Sequence, residues 1–133
     1  MRTFVDTSAL YALLDEDDRN HERAAAWFAG PGADASETLV SHAYVAVETA
    51  ALVHRRLGPQ ATRVLFDAFI PAFTTMFIDE ILHERAVAAF LAAAHGRVSL
   101  VDRVSFQLMR DLALDRAFAF DRDFKGQGFD VVP

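Results

Sequence analysis

The sequence contains no cysteine among its 133 residues. This absence excludes a disulfide framework, a cysteine nucleophile and a zinc site with cysteine ligands, and it is compatible with a reducing compartment. Long hydrophobic runs are also missing, because the most apolar stretch, residues 68–78, is interrupted by Pro71, Thr74 and Thr75. That stretch is too short to span a bilayer. Since no leader-like segment is visible either, we expect a soluble cytoplasmic protein that does not enter a membrane.

Positive charge is scarce: 13 Lys and Arg residues face 19 Asp and Glu residues, for a net charge of −6. This balance argues against a broad basic surface for sequence-independent nucleic-acid binding, although it allows a local basic rim. All the cations except Lys125 are Arg, the residue suited to bidentate phosphate contacts. The length and a hydrophobic fraction of 53 % predict a single domain, residues 1–133, with one core.

Short apolar segments alternate with helical patterns along the whole chain. The predicted strands are residues 4–5, 38–40, 73–78, 117–120 and 129–132. The predicted helices are residues 9–14, 21–29 after Asn20, 42–57 after Ser41, 59–70, the stretch from Asp79 to Ala94, and the stretch from Ser99 to about Leu114, and residues 125–128 are expected to form a loop. Strands separated by helices, with cores too apolar for simple alternation, predict a three-layer α/β/α sandwich with a mostly parallel central sheet.

Asp6 follows the first predicted strand directly, in the order Phe4-Val5-Asp6. Two interpretations are open. Asp6 caps the helix that follows, or it lies in the crevice where ligands bind at the carboxyl ends of strands.

Two further carboxylates have the same double interpretation. Glu48 falls on the apolar face of its predicted helix, where an acid needs a partner, or it lies at the rim and reaches water. Asp102 completes a capping pattern with Ser99, or it faces the cleft at the helix N-terminus.

Asp121 ends the fourth predicted strand as Asp6 ends the first, and Asp123 follows it. Acids on two strand ends, together with Glu48 and Asp102, would place about four negative charges around one crevice, where they would repel one another. A divalent cation removes that conflict, and hard oxygen ligands favour Mg²⁺ or Mn²⁺ over zinc.

Other site motifs are missing. The five histidines, at positions 21, 42, 54, 83 and 95, show no zinc-binding spacing, and we expect surface or core histidines. The sequence contains no phosphate-binding glycine loop and no serine nucleophile elbow.

These features together resemble a PIN domain, and specifically the small VapC-type toxins of bacterial toxin–antitoxin pairs. The resemblance covers nearly the whole chain. It rests on the order and spacing of five segments: FVDTSALYALLD at the start, the D-x-x-H-x-x-A pattern at residues 18–24, SHAYVAVE, RVSLVD and the closing AFAFDRDF.

The resemblance implies the site residues one by one. The family's four acids fall on Asp6, Glu48, Asp102 and Asp121, with Asp6, Asp102 and Asp121 as metal ligands and Glu48 as a ligand or as the residue that orients the attacking water. Asp123 is a candidate helper. The family often carries a hydroxyl residue where this chain has Ala119, so Ser8, Ser99 or water must supply that contact. Arg103 and Arg122 either contact the RNA backbone or are ordinary solvated surface charges.

The implied activity is Mg²⁺- or Mn²⁺-dependent cleavage of RNA. The implied partners are an antitoxin protein and a second copy of the chain, with residues 9–28 and 59–70 supplying the homodimer surface and the antitoxin groove.

Two other functions remain open at this point. A phosphatase that attacks through an aspartate would want a second Asp two residues after Asp6, where this chain has Ser8. A PIN-like binding module without catalysis would not need all four acids.

Overall fold

A computed structural model describes residues 1–93 and 96–133. Within this part of the chain, a five-stranded sheet forms the centre of the fold, in the order β3-β2-β1-β4-β5. All four strand pairings are parallel. The strands are β1 Arg2–Val5, β2 Thr38–His42, β3 Thr74–Met76, β4 Arg116–Phe118 and β5 Asp130–Val132. The predicted parallel sheet is confirmed.

Helices follow each of the first four strands. They are α1 Thr7–Leu14, α2 His21–Ala29, α3 Ala43–Leu57, α4 Pro59–Val64, α5 Glu80–Ala92, α6 Leu100–Asp111 and α7 Asp123–Gly126. Helix α1 packs against α2 and α3, α3 packs against α4, and α5 packs against α6. The predicted α/β/α architecture is therefore confirmed. No helix in the described residues is long and apolar enough to cross a membrane.

The order of the strands determines where the site lies. The chain moves outward from β1 to β2 and β3, and then returns to the other side of β1 to form β4. Because parallel crossovers are right-handed, this reversal sends the later helices to the opposite face of the sheet. Ligands of such sheets bind beyond the carboxyl ends of the strands at the reversal, here β1 and β4. Phe4 and Val5 of β1 are completely buried and fix this edge in the core.

Two predicted helix caps differ from the observed ones. His42, not Ser41, caps α3, and its side chain accepts a hydrogen bond from the Val45 N–H. Ser41 stays in β2, where its hydroxyl donates to the Val5 carbonyl over 2.9 Å. Asn20 stands at the start of α2 without a side-chain capping bond. The opposite end of α3 behaves as predicted, because Gly58 ends it with a φ of 89° that favours glycine.

Several element boundaries were also predicted wrongly. Strand β4 ends at Phe118, so Asp121 lies three residues beyond it, and residues 123–126 form helix α7 where a loop was expected. The helix predicted over residues 59–70 is α4 followed by a π-helical turn, Leu65–Phe69, and a 3₁₀ turn, Ile70–Ala72. Helix α6 ends at Asp111. Asp79 does cap α5, but the end predicted at Ala94, like His95, lies outside the described residues.

Candidate active site

A cleft of about 480 Å³ opens at the carboxyl edge of β1 and β4. All four predicted acids line it: Asp6, Glu48, Asp102 and Asp121. They come from four different places in the chain, namely the end of β1, the middle of α3, the first turn of α6 and the loop after β4. The fold therefore brings the four acids to one cleft, as the sheet reversal predicts.

Asp6 has both of the positions that the sequence left open. It caps α1, where its carboxylate accepts hydrogen bonds from the Ser8 N–H over 3.1 Å and from the Ser8 hydroxyl over 2.7 Å. It also faces the cleft, and only 3 % of it is exposed. The pKa of Asp6 is raised to about 7, chiefly by burial and also by the nearby Asp102 and Asp121, while the hydrogen bonds from Ser8 oppose the rise.

Asp102 likewise has a double position. Its N–H donates to the Ser99 hydroxyl over 3.1 Å at the start of α6, so the capping pattern is confirmed. Its carboxylate is half-buried in the cleft. Burial raises the pKa of Asp102 to about 6, and the negative charges of Asp121 and Glu48 act in the same direction.

Three carboxylates form a tight group. One oxygen each from Asp102, Asp121 and Asp123 lies within 4.8 Å of the other two. The Asp123 N–H donates to Asp121 over 2.9 Å, and Arg97 forms an ion pair with Asp123 over 3.1 Å. Asp123, which was predicted only as a helper, therefore lies within the acidic group and is a candidate metal ligand.

The donor set fits a hard divalent cation. The acids of the cleft offer carboxylate oxygens as metal ligands, and such hard oxygen ligands suit Mg²⁺ or Mn²⁺. The pKa values of Asp6 and Asp102 are raised first by burial and then by the neighbouring carboxylates, and a bound cation would offset both effects.

The other predicted residues take different positions. Ser8 and Ser99 both line the cleft, and Ala119 is buried behind it. Arg122 is exposed in a neighbouring cleft, about 530 Å³, that also contains Arg97. Arg103 is half-buried, and its Nε has no hydrogen-bond partner among the described residues.

The cleft lining also contains residues that the sequence analysis did not assign to the site, among them Tyr11, Arg19 and Arg56. Helical spacing was the available signal for two of them. Tyr11 lies three residues after Ser8, and Arg56 lies eight residues after Glu48, so each pair shares a helix face.

The fold and this acidic cleft define a class of protein. The family model "PIN domain" matches residues 3–129 of the chain, and the chain belongs to the PIN domain family.

A particular relative lies within that family. The chain is 32 % identical over 130 residues to the 23S rRNA-specific endonuclease VapC20 of Mycobacterium tuberculosis, an alignment that covers 95 % of this chain and 94 % of the relative. The crystal structure of VapC20, described as a Sarcin-Ricin loop cleaving toxin, superposes with a TM-score of 0.85 at 28 % identity. That superposition covers 98 % of this chain and 99 % of VapC20.

A more distant structure has the same fold. FitAcB from Neisseria gonorrhoeae superposes with a TM-score of 0.70 at 15 % identity, over 100 % of this chain and 97 % of that one. At this identity the likeness concerns the fold alone.

Proposed function

We propose that this protein is a metal-dependent endoribonuclease, the toxin of a toxin–antitoxin pair, and that residues 1–133 form one domain that acts in the cytoplasm. The observation that carries the proposal is the convergence of Asp6, Glu48, Asp102 and Asp121 on one cleft. The similarity to VapC20 over nearly the full length of both chains supports an RNA substrate. We further propose that the substrate is 23S rRNA and that the cut falls in the Sarcin-Ricin loop.

In this proposal the acids hold one or two Mg²⁺ or Mn²⁺ ions, with Asp6, Asp102, Asp121 and Asp123 as the ligands. Such ions lower the pKa of a bound water and neutralise charge on the phosphodiester. Glu48, half-buried on α3, orients the attacking water in line with the leaving 3′ oxygen. Ser8 and Ser99 hold Asp6 and Asp102 in place through the hydrogen bonds described above.

Cations on the rim complete the RNA site. Arg122 is exposed next to Asp121 and is free to meet a backbone phosphate. Arg103 is half-buried and lies next to Asp102, so its contact with RNA would be through the part of the guanidinium that remains accessible.

An antitoxin is the second proposed partner. A groove of about 810 Å³ runs between α1, α2 and α4. Its lining combines the apolar side chains of Leu13, Leu14, Val64 and Phe69 with the charged side chains of Glu16, Arg63 and Asp67. An amphipathic segment of a small protein fits such a groove. In place of the dimer surface expected at residues 9–28 and 59–70, we propose that two copies of the chain pair through other exposed apolar side chains, of which Phe77 is 85 % and Ile81 69 % exposed.

The test is to incubate purified ribosomes and free 23S rRNA with the protein in Mg²⁺, in Mn²⁺ and in excess chelator, and to map cuts by primer extension. We expect one strong cut in 23S rRNA that the chelator abolishes. Absence of any cut, or cutting that continues in chelator, would contradict the proposal. Transfer of phosphate to Asp6 from a phosphate donor would favour the phosphatase instead, and metal-free RNA binding would favour the binding module.

A further inference from the structure

The acidic cleft has a second end with a different chemistry. Helices α1 and α3 pack side by side, and each sends one face into the cleft. Along α1 that face carries Ser8 and then Tyr11, and along α3 it carries Glu48, Leu52 and Arg56. Asp6 caps α1 and Glu48 lies near the middle of α3, and Tyr11 and Arg56 follow farther along the same helices.

The cleft-facing sides of α1 and α3 meet where the Tyr11 ring contacts the Arg56 guanidinium. The Arg56 Cζ lies over the Tyr11 ring, 5.4 Å from its centroid, which is a cation–π contact between the two helices. Arg56 is exposed, and Tyr11 is half-buried with part of the ring in the cleft. No carboxylate in the described part of the chain lies within 4.0 Å of the Arg56 guanidinium, so its charge is available to a ligand.

The charges that line the cleft suggest what Tyr11 and Arg56 do. Five carboxylates line the cleft, and the cations in its lining are Arg19 and Arg56. A polyanion that reaches the acids therefore needs a cation close by to offset the repulsion. Base stacking on an aromatic side chain and guanidinium contacts to phosphate are the two interactions by which proteins hold single-stranded RNA.

We propose that Tyr11 and Arg56 form the subsite for the nucleotide adjacent to the scissile phosphate: the Arg56 guanidinium turns away from the ring to pair with the neighbouring phosphate, and the base stacks on the Tyr11 face that Arg56 leaves. The subsite rests on the proposed endoribonuclease function. In this subsite Tyr11 and Arg56 bind the substrate and select an unstacked nucleotide, and the acids carry out hydrolysis.

The test compares multiple-turnover cleavage of a Sarcin-Ricin loop hairpin by the wild type, Tyr11→Leu, Tyr11→Phe, Arg56→Gln and Arg55→Gln. Tyr11→Leu keeps an apolar side chain and removes the π face, so we expect KM to rise about 5- to 100-fold, the range that stacking of one base supplies. We expect kcat to change little, because this is binding shared by the ground state and the transition state. Tyr11→Phe should recover most of the lost affinity.

Arg56→Gln should raise KM and also flatten its dependence on salt, by about 0.7 in the log–log slope for one lost phosphate contact on a single strand. Arg55 is the matched control, since it is an exposed neighbour in α3 and is not among the described residues that line the cleft. Mn²⁺ binding and thermal unfolding are measured for each variant. A variant that has lost substrate affinity only because its structure is damaged will also differ from the wild type in these two measurements.

The outcomes separate the two proposals. If the wild type does not cut the RNA, the proposed function fails and the subsite fails with it. If the wild type cuts and Tyr11→Leu keeps the wild-type KM, or Arg56→Gln has the salt slope of Arg55→Gln, the subsite alone is overturned.

Discussion

The Ser8 hydroxyl donates a hydrogen bond to the Asp6 carboxylate over 2.7 Å and accepts one from the Phe120 N–H over 2.9 Å. One small side chain thereby connects the acid that follows β1 to the backbone that follows β4. This backbone leads directly to Asp121. Ser8 therefore links the two segments that carry Asp6 and Asp121, and its partner Phe120 directly follows Ala119 in the chain, the position where the resemblance led us to expect a hydroxyl.

Removing this hydroxyl tests its role. We expect Ser8→Ala to lower the free energy of unfolding by about 1–3 kcal/mol, because the Phe120 N–H and a buried carboxylate each lose a partner. The pKa of Asp6 should rise further, since the bond from Ser8 opposes the rise. Cleavage should then require a higher pH than in the wild type. Chemical denaturation and a pH–rate profile measure both effects.

Ser36 provides the control for that variant. Its hydroxyl donates to Asp34 over 2.6 Å with the same two-residue spacing, but at an exposed site. Water can replace the lost bond there, so Ser36→Ala should change stability by less than about 0.5 kcal/mol. Equal effects of the two substitutions would contradict the role assigned to Ser8.

Asp6 makes the stability of the metal-free protein depend on pH. Its pKa is about 7 in the folded state and 3.8 ordinarily, so between these values the folded state binds more protons than the unfolded state. Stability must then fall as pH rises through this window, by up to about 1.4 kcal/mol per pH unit. The substitution Asp6→Asn removes this contribution to the pH dependence of stability. In chelator, we expect urea denaturation to find the variant increasingly more stable than the wild type from pH 4 to pH 7.

Bound metal should reverse this trend, because a carboxylate must be ionised to bind it. Added Mn²⁺ should stabilise the wild type more at pH 7.5 than at pH 5.5 and should stabilise Asp6→Asn far less. A wild type whose stabilisation by Mn²⁺ does not change with pH would refute this account of Asp6.

His42 gives the opposite dependence. It is fully buried, Val45 donates to its Nδ1 over 3.2 Å, and its Nε2 lies 2.8 Å from the Ser105 hydroxyl. That hydroxyl donates to the Val101 carbonyl, so the neutral Nε2–H form of His42 satisfies every partner. Burial lowers the pKa of His42 to about 3.

The unfolded state therefore binds more protons than the folded state between about pH 3 and pH 6.5, the ordinary pKa of His, and His42 adds stability that is lost as pH falls through this range. We expect His42→Gln to reduce stability at pH 7 by about 1–3 kcal/mol through a broken buried network. In denaturation measured as a function of pH, the free energy of unfolding of His42→Gln should fall less steeply toward acid pH than that of the wild type. His54→Gln, at an exposed position, is the control and should retain the wild-type profile.

The groove between α1, α2 and α4 gives a prediction about the antitoxin. Val64 lines this groove and Phe66 does not line it, yet both are 46 % exposed. A buried, unpaired charge in an interface costs several kcal/mol. Val64→Glu should therefore weaken the complex with the antitoxin by at least tenfold in calorimetry, while Phe66→Glu binds normally. RNA cleavage by both variants should match that of the wild type, and equal weakening by both would place the antitoxin elsewhere.

The sequence predicted the sheet and the acids for physical reasons. Buried strands such as Phe4-Val5 are too apolar to be surface segments, and a carboxylate directly after one must lie at the sheet edge. Parallel pairing of β1 and β4 then brings Asp6 and the loop that carries Asp121 to the same edge, however distant they are in the chain.

Other features depended on tertiary contacts that no local pattern records. Ser41 is the better cap by propensity, but its hydroxyl bonds to β1, and His42 takes the cap because Ser105 satisfies its second nitrogen. The contact between Tyr11 and Arg56 joins α1 and α3, which α2 and β2 separate in the sequence, so only the folded chain shows it.

The most direct test of the central claim measures Mn²⁺-dependent cleavage of 23S rRNA by the wild type, by Asp6→Asn, Glu48→Gln, Asp102→Asn and Asp121→Asn, and by Asp17→Asn as an exposed control. The account predicts a mapped cut that Asp17→Asn retains and that each of the other four variants loses by at least 100-fold while remaining folded. Wild-type cleavage by Asp6→Asn or Asp121→Asn, or cleavage that survives removal of the metal, would contradict it.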